Sequence, residues 1–222
     1  MNSLERSLKS ANSLENGRIV PRKAYGFSLL ELMASLGIAM VAISITAISF
    51  QPMLKQARVN TAYDTTLMAM RHYRMQAISQ RRRYMLAFTT PGTITVSYLG
   101  VATPVNPPPV VVETMTLPVD VEFAVTSGLP STSTTVPDGF GTGATAIDFD
   151  QGVGLGSQNY ILFMPDGSSQ DTLGNLNSGV LYMGRRGDLQ SWRAISVFGS
   201  TGRIRGWRLV AGSKGGVEWT QQ

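Results

Sequence analysis

Residues 26–50, GFSLLELMASLGIAMVAISITAISF, constrain this chain more than any other stretch. From Phe27 to Phe50 the run carries a single ionisable side chain, Glu31. A helix rising about 1.5 Å per residue covers roughly 36 Å over that length. The hydrocarbon core of a bilayer is about 30 Å thick, so the segment is long enough to span one. Glu31 is the anomaly, because an ionised carboxylate inside a membrane helix costs about 2.5–3.5 kcal/mol on insertion scales. It calls for a cationic partner. A cut between Gly26 and Phe27 would create one, since the new α-amino group would lie one helical turn from Glu31. In an assembly of such helices, the amine of one copy could pair with the Glu31 of its neighbour.

Residues 1–25 are polar and basic, with no pattern that builds a core. They do not read as a secretory signal peptide, whose apolar region is about 7–15 residues and precedes its cut site. Lys and Arg ahead of the apolar run place residues 1–25 in the cytoplasm by the positive-inside rule, with the bulk of the chain across the inner membrane. The net charge of +5 is partly theirs. Residues 1–26 hold five of the 19 basic and two of the 14 acidic residues, so the remainder carries a net charge of +2. Bulk charge therefore does not mark a nucleic-acid binder, and any such role must come from local clusters of arginine. The absence of cysteine excludes disulfides and thiolate chemistry. One histidine, His72, leaves neither a histidine metal site nor a Ser-His-Asp triad. No nucleophile–base pair is visible, so the chain reads as a non-enzyme without a cofactor, metal or small-molecule substrate.

After Pro52, which should kink or loosen the helix, residues 53–80 resume a helical period. Leu54, Ala57, Thr61, Met68, Met75 and Ile78 approximate one apolar face, and Met68, Met70 and Met75 read as packing residues. Strands are expected at 84–89 and 93–99 around a Thr90-Pro91-Gly92 turn. Further strands are expected at 110–117, 119–126, 146–149, 160–164, 180–183, 194–198 and 203–210. Residues 103–109 read as a loop or a short polyproline stretch, and residues 127–143 as a long surface loop suited to insertion or mobility. A long helix followed by many short strands gives an α+β class.

Three weaker signals have bland explanations. Arg81-Arg82-Arg83 is either phosphate-seeking or a solvated helix end that complements the macrodipole. Asp148 and Asp150 could join a Ca²⁺ site, but alternate aspartates on a strand rim are common and the remaining oxygen ligands are not identified in the sequence. Arg186-Gly187-Asp188 is a chance tripeptide.

Gly26-Phe27 followed by Ser28, Leu29, Leu30 and Glu31, after Arg22 and Lys23, resembles the type III signal of type IV prepilins and type II secretion pseudopilins. That resemblance implies cleavage after Gly26 by a prepilin peptidase and methylation of the new amino-terminal Phe27. Towards the other end, Arg193-Ala194-Ile195-Ser196-Val197 runs into Phe198-Gly199-Ser200-Thr201-Gly202-Arg203-Ile204-Arg205. A strand, a Ser-Thr-Gly turn and Gly-Arg-x-Arg in that order resemble the GspH/FimT family of minor pseudopilins and minor pilins. Residues 161–167, an apolar strand running into Pro165-Asp166-Gly167, resemble it too.

The resemblance implies a pilin-like α+β fold, in which a long amino-terminal helix, transmembrane in its first half, packs on antiparallel sheets. The expected divisions are a leader at 1–26, a membrane or filament-core helix at 27–51, and an extracytoplasmic globular domain at 52–222. Implied partners are the prepilin peptidase, the inner membrane, and other pilins or pseudopilins near the tip of a type II secretion pseudopilus or type IV pilus. FimT-like members additionally implicate the Gly-Arg-x-Arg segment in DNA binding during uptake, which points here to Gly202, Arg203 and Arg205. If that segment is extended, Arg203 and Arg205 project to one face about 7 Å apart, and Arg208 to the other unless a bulge at Gly206 re-aims it. Alternatively, Gly202 makes a turn while the arginines pair with carboxylates or cover the sheet.

Overall fold

The computed structural model describes residues 26–100, 108–141, 143–149, 158–212 and 215–222, with the side chains of 45–50 outside that set. The chain divides into two compact units, Met1–Ile48 and Ser49–Gln222. One α-helix, α1 (Leu29–Gln80), runs through both. Pro52 inside it has no N–H to offer the carbonyl of Ile48, the last residue of the first unit.

In the first unit the helix opens with a bond from the Leu32 N–H to the Ser28 carbonyl, and Glu31 lies in its first turn. A carboxylate there is favoured by the positive end of the macrodipole. Every described side chain of this unit is exposed, including Phe27, Leu29, Leu30, Ile38 and Ile43. The helix is apolar on all sides. Its serines turn inward to their own backbone: Ser35 Oγ donates to the Leu32 carbonyl at 3.0 Å and Ser44 Oγ to the Met40 carbonyl at 2.8 Å. Such bonds let a hydroxyl sit in apolar surroundings. Among the described residues no helix is long and apolar enough to cross a membrane; the described side chains of the apolar run stop at Ser44.

The second unit is an α+β assembly. Its strands among the described residues are β1 (Arg83–Thr89), β2 (Thr93–Leu99), β3 (Val110–Thr116), β4 (Ile147–Phe149), β5 (Tyr160–Phe163), β6 (Ser169–Gln170), β7 (Gly179–Arg185), β8 (Asp188–Phe198), β9 (Arg203–Ala211) and β10 (Val217–Gln221). They form two antiparallel sheets, ordered β3-β2-β1-β5-β6 and β10-β9-β8-β7-β4. Alternation along the strands builds the main core. Leu86 and Phe88, Ile94 and Val96, Ile161 and Phe163, Leu181 and Met183, and Ile195 and Val197 are all buried in one cluster with the helix. The helical contribution is Val59, Ala62, Tyr63, Leu67, Met70, Tyr73 and Ala77.

That face corrects the expected one. Leu54, Met68 and Met75 are exposed, and of the three methionines read as packing residues only Met70 is buried. The true stripe is anchored by tyrosines. Tyr63 lies over Gly206, where an added Cβ would fall 1.6 Å from its hydroxyl. The expected strand at 119–126 is also absent. Asp120 adopts φ 75°, Val121 and Phe123 plunge into the core, and only Glu122 makes a bridge, to Gly184. A residue in the left-handed region interrupts the pleat that a continuous strand requires.

The outer face of the second sheet carries a smaller cluster of Val180, Tyr182, Trp192, Ala194 and Leu209, joined by Leu129 from the 127–143 loop. Leu129 and Val136 are buried. The segment is thus a cover for the sheet rather than a free excursion, for apolar loop residues lower the free energy by leaving water. Asp148 is buried in β4, and Asp150 lies outside the described residues. Arg186-Gly187-Asp188 forms the tight β7–β8 turn, with Gly187 at φ 77° and Arg185 paired to Asp188 at 3.5 Å.

Candidate functional site

Two of the segments singled out by sequence meet in the second unit. The turn between β8 and β9 brings the Thr201 carbonyl and Gly202 against the turn between β5 and β6, where Gly167 sits at φ 85°. Arg74 of α1 fastens both. Its Nε donates to the Gly167 carbonyl at 3.0 Å and its Nη2 to the Thr201 carbonyl at 2.8 Å. Gly202, at φ 60°, is obligatory for space as well as conformation: a Cβ there would lie 2.0 Å from the Gly167 oxygen and 2.7 Å from Arg74 Nε. The Pro165-Asp166-Gly167 turn is braced by Asp166, whose Oδ1 accepts from the Ser168 hydroxyl at 2.7 Å and the Ser168 N–H at 2.8 Å. Those bonds hold its carboxyl below the usual range.

From this turn β9 departs with Arg203 and Arg205 opposite Phe198 and Ser196 of β8. As alternate residues of one strand they share a face, and it is the face away from the helix. One carboxylate receives both. Arg205 Nη1 pairs with Asp138 Oδ1 at 2.7 Å, and Arg203 Nη2 lies 3.8 Å from the same oxygen. Asp138 comes from a 3-10 turn, Pro137–Gly139, where it takes φ 54° and ψ 16°. Its side chain is only 9% exposed, and Oδ2 accepts from the Ser196 hydroxyl. Ser196 in turn accepts from Trp207 Nε1 at 2.8 Å. Arg203 also lies over the Phe198 ring at 5.4 Å, and that ring stacks on Phe140 at 6.2 Å. Arg203 is half exposed and Arg205 less so. The carboxylate thus neutralises one of the two charges and positions both guanidinium groups.

Next to them lies an open groove of about 640 Å³, lined among others by Arg71, Arg74, Thr201, Gly202 and Arg203 and, among the described residues, by no carboxylate. Arg193, on the same strand as Ser196, is not part of this groove. It is buried on the opposite face of β8, bonded to Asn60 Oδ1 at 3.0 Å and to the carbonyls of Gln190 and Trp192. Burial, helped by the Arg208 charge beside it, pulls its pKa down to about 10.

The other predicted residues belong to the first unit. Gly26 and Phe27 precede the helix, with Phe27 exposed and open space around Gly26, and Glu31 follows in the first turn. Sequence reasoning missed Asp138, Arg74, Ser196 and Trp207. Pro137-Asp138-Gly139 carried a turn signal, but nothing local announces a carboxylate aimed at a strand so distant in sequence.

No family model matches this chain, and no curated protein matches it. Among solved structures, the chain is similar to the minor pseudopilin EpsH from the Type 2 Secretion System of Vibrio cholerae, at 10% identity over 74% of this chain and 97% of that one, with a TM-score of 0.36. A likeness of that size carries no argument, so the α+β description rests on the strand registers and the helix face above.

Proposed function

We propose that this chain is the precursor of a minor pilin or pseudopilin, a structural subunit of a type II secretion pseudopilus or a type IV pilus, placed at or near its tip. The observation that carries the reading is the first unit. Its described residues form a helix, preceded by Gly26-Phe27, whose described side chains are apolar on every side apart from its serines and Glu31 in its first turn. A helix hydrophobic all round belongs in a membrane or among other helices. Before assembly, residues 27–51 span the inner membrane with residues 1–26 in the cytoplasm and residues 52–222 outside. A prepilin peptidase removes 1–26 and methylates Phe27. In the filament, Glu31 accepts the charge of a neighbouring subunit's amine, which removes the cost of a lone carboxylate in apolar surroundings. The role is structural and requires no cofactor.

Replacing Gly26 by Val tests the processing step. The full-length precursor should accumulate in membranes, whereas the native chain loses residues 1–26 and its Phe27 gains one methyl group by mass spectrometry. Normal cleavage of the variant would end the prepilin reading. Glu31→Ala should be cleaved normally yet be depleted from sheared filaments; equal incorporation would remove the pairing role.

The second reading, a DNA receptor using Gly202, Arg203 and Arg205, draws support from the exposed half of Arg203 and the carboxylate-free groove beside it. Against it stands Asp138, which already occupies both guanidinium groups. Phosphate would have to displace a nearly buried carboxylate, so the structural role is the better supported.

A further inference from the structure

The cations that α1 delivers to the sheet are placed differently from Arg203 and Arg205. The helix ends at Gln80, and its last turn holds no basic residue. Arg81 follows at φ 53°, and the Arg82 N–H returns to the Ala77 carbonyl at 3.2 Å. This is a left-handed helix stop, a position where glycine is the usual occupant. Arg83 then opens β1. Its Nη2 donates to the Gly100 carbonyl at 2.6 Å, and the Arg82 guanidinium sits over the Tyr98 ring at 5.4 Å. Arg81 and Arg82 are exposed. Among the described residues, no carboxylate forms an ion pair with any of the three, whereas Arg58, Arg185, Arg186, Arg203 and Arg205 each have one. All three line an open cavity of about 530 Å³ whose other walls are Tyr98, Leu99, Gly100, Met164 and Pro165. Through Arg83, Leu99 and Gly100 it adjoins a second hollow of about 260 Å³ that reaches Leu162 and Thr172. Among the described residues, no acidic side chain lines either hollow.

We propose that Arg81, Arg82 and Arg83 form a phosphate-binding site that accepts a single strand of nucleic acid along this groove. The cluster follows directly on the negative end of the α1 macrodipole, which favours cations there, yet among the described residues no carboxylate takes up any of its three charges. Preorganisation favours binding. One guanidinium is fixed by a backbone carbonyl and another by an aromatic face, so little side-chain freedom remains to be lost. The exposed charges keep their water until a phosphate replaces it, and the favourable term is the counterions released from the strand. Shape selects the ligand. A small anion would be held in a closed pocket and a lipid surface would meet a flat or convex face; two adjoining open hollows with apolar walls suit an extended chain of sugars, bases and phosphates. The site is independent of the filament reading and distinct from the Asp138-bound arginines.

The test uses the full chain in mild detergent and a fluorescent oligothymidylate, with binding followed by anisotropy across a salt series. Wild type should bind and weaken steadily with salt. Arg81→Gln/Arg82→Gln should lower the slope of log K against log salt by about 1.4, two contacts at roughly 0.7 each on a single strand. Arg81→Lys/Arg82→Lys should restore most of that slope, since lysine supplies the same charge. Arg203→Gln/Arg205→Gln should leave it unchanged. An unaltered slope in the Arg81/Arg82 glutamine pair overturns the proposal, and so does the absence of binding at low salt. Capture of vesicles rich in acidic phospholipid, without capture of the oligonucleotide, would overturn it in favour of a lipid site.

Discussion

Gly202→Ala and Gly187→Ala form a matched pair that isolates the meeting of the two turns. Both glycines have positive φ, 60° and 77°, so each alanine bears the left-handed backbone cost of about 1–2 kcal/mol. They differ in surroundings. A Cβ on Gly187 meets nothing within 4 Å, while one on Gly202 comes within 2.0 Å of the Gly167 oxygen. Ordinary contact begins near 3.4 Å, so the two turns must separate by about 1.4 Å. That opening exceeds the tolerance of the Arg74 bonds to Gly167 and Thr201, now 3.0 and 2.8 Å long. Hydrogen bonds from a charged donor contribute about 1.5–3 kcal/mol each, and the low end applies at this partly exposed site. Gly202→Ala should therefore destabilise by about 4–5 kcal/mol, against about 1–2 for Gly187→Ala. In a domain of this size that separates the two melting temperatures by roughly 6–12 °C. Thermal unfolding by near-ultraviolet circular dichroism reads the difference. Adding Arg74→Ala to Gly202→Ala should cost little more, because the bonds are already lost. Equal shifts for the two alanines would refute the idea that Gly202 is required by close approach.

Arg81→Gly should raise stability by about 0.5–1 kcal/mol, since glycine carries no left-handed penalty, while weakening oligothymidylate binding; a lower melting temperature would mean that the arginine side chain itself holds the helix end. Tyr73 gives a pH signature. Burial, together with its 2.5 Å bond to Glu113, pushes the phenol up to about 12. The folded state therefore keeps a proton that the unfolded chain releases near pH 10, so this contribution is intact below pH 10 and is lost as pH rises through about 12. A difference titration of wild type against Tyr73→Phe at the tyrosinate absorbance should show one phenol ionising near pH 12; a difference centred near pH 10 would contradict the burial of that hydroxyl.

The parts of the fold that were legible in sequence are those set by local period. Ile94 and Val96 alternate with polar neighbours and lie inward in β2. The helix face was misjudged because hydrophobicity alone cannot rank Met68 above or below Met70. The choice is made by what the opposing sheet offers: Gly206 leaves a hollow that Tyr63 fills, and that side of the helix becomes the core. Residues 119–126 failed in the opposite direction. Val121 and Phe123 look like alternate strand residues, yet they are buried from an irregular segment held to β7 by one bridge at Glu122. Apolar burial was read correctly, and the backbone that delivers it was not. β10, with Val217 and Trp219 half-buried after Gly215-Gly216, is a short alternation outside the expected strands.

The Gly-Arg-x-Arg segment shows most sharply what spacing does and does not convey. Alternation along an extended strand placed Arg203 and Arg205 on one face, and they lie on one face. It could not say what that face meets, because Asp138, Ser196 and Trp207 arrive through tertiary structure. With those partners in place, each element of the motif has a structural reason: Gly202 admits the neighbouring turn, and the arginines tie the covering loop to the sheet. Phosphate recognition asks for the opposite environment, cations held in place and left without a carboxylate. Among the described residues the Arg81–Arg83 turn meets that requirement, even though its run of like charges was the less specific signal in the sequence. Motif resemblance and free positive charge therefore separate in this chain, and the paired glutamine variants at the two sites measure which of them a polyanion follows.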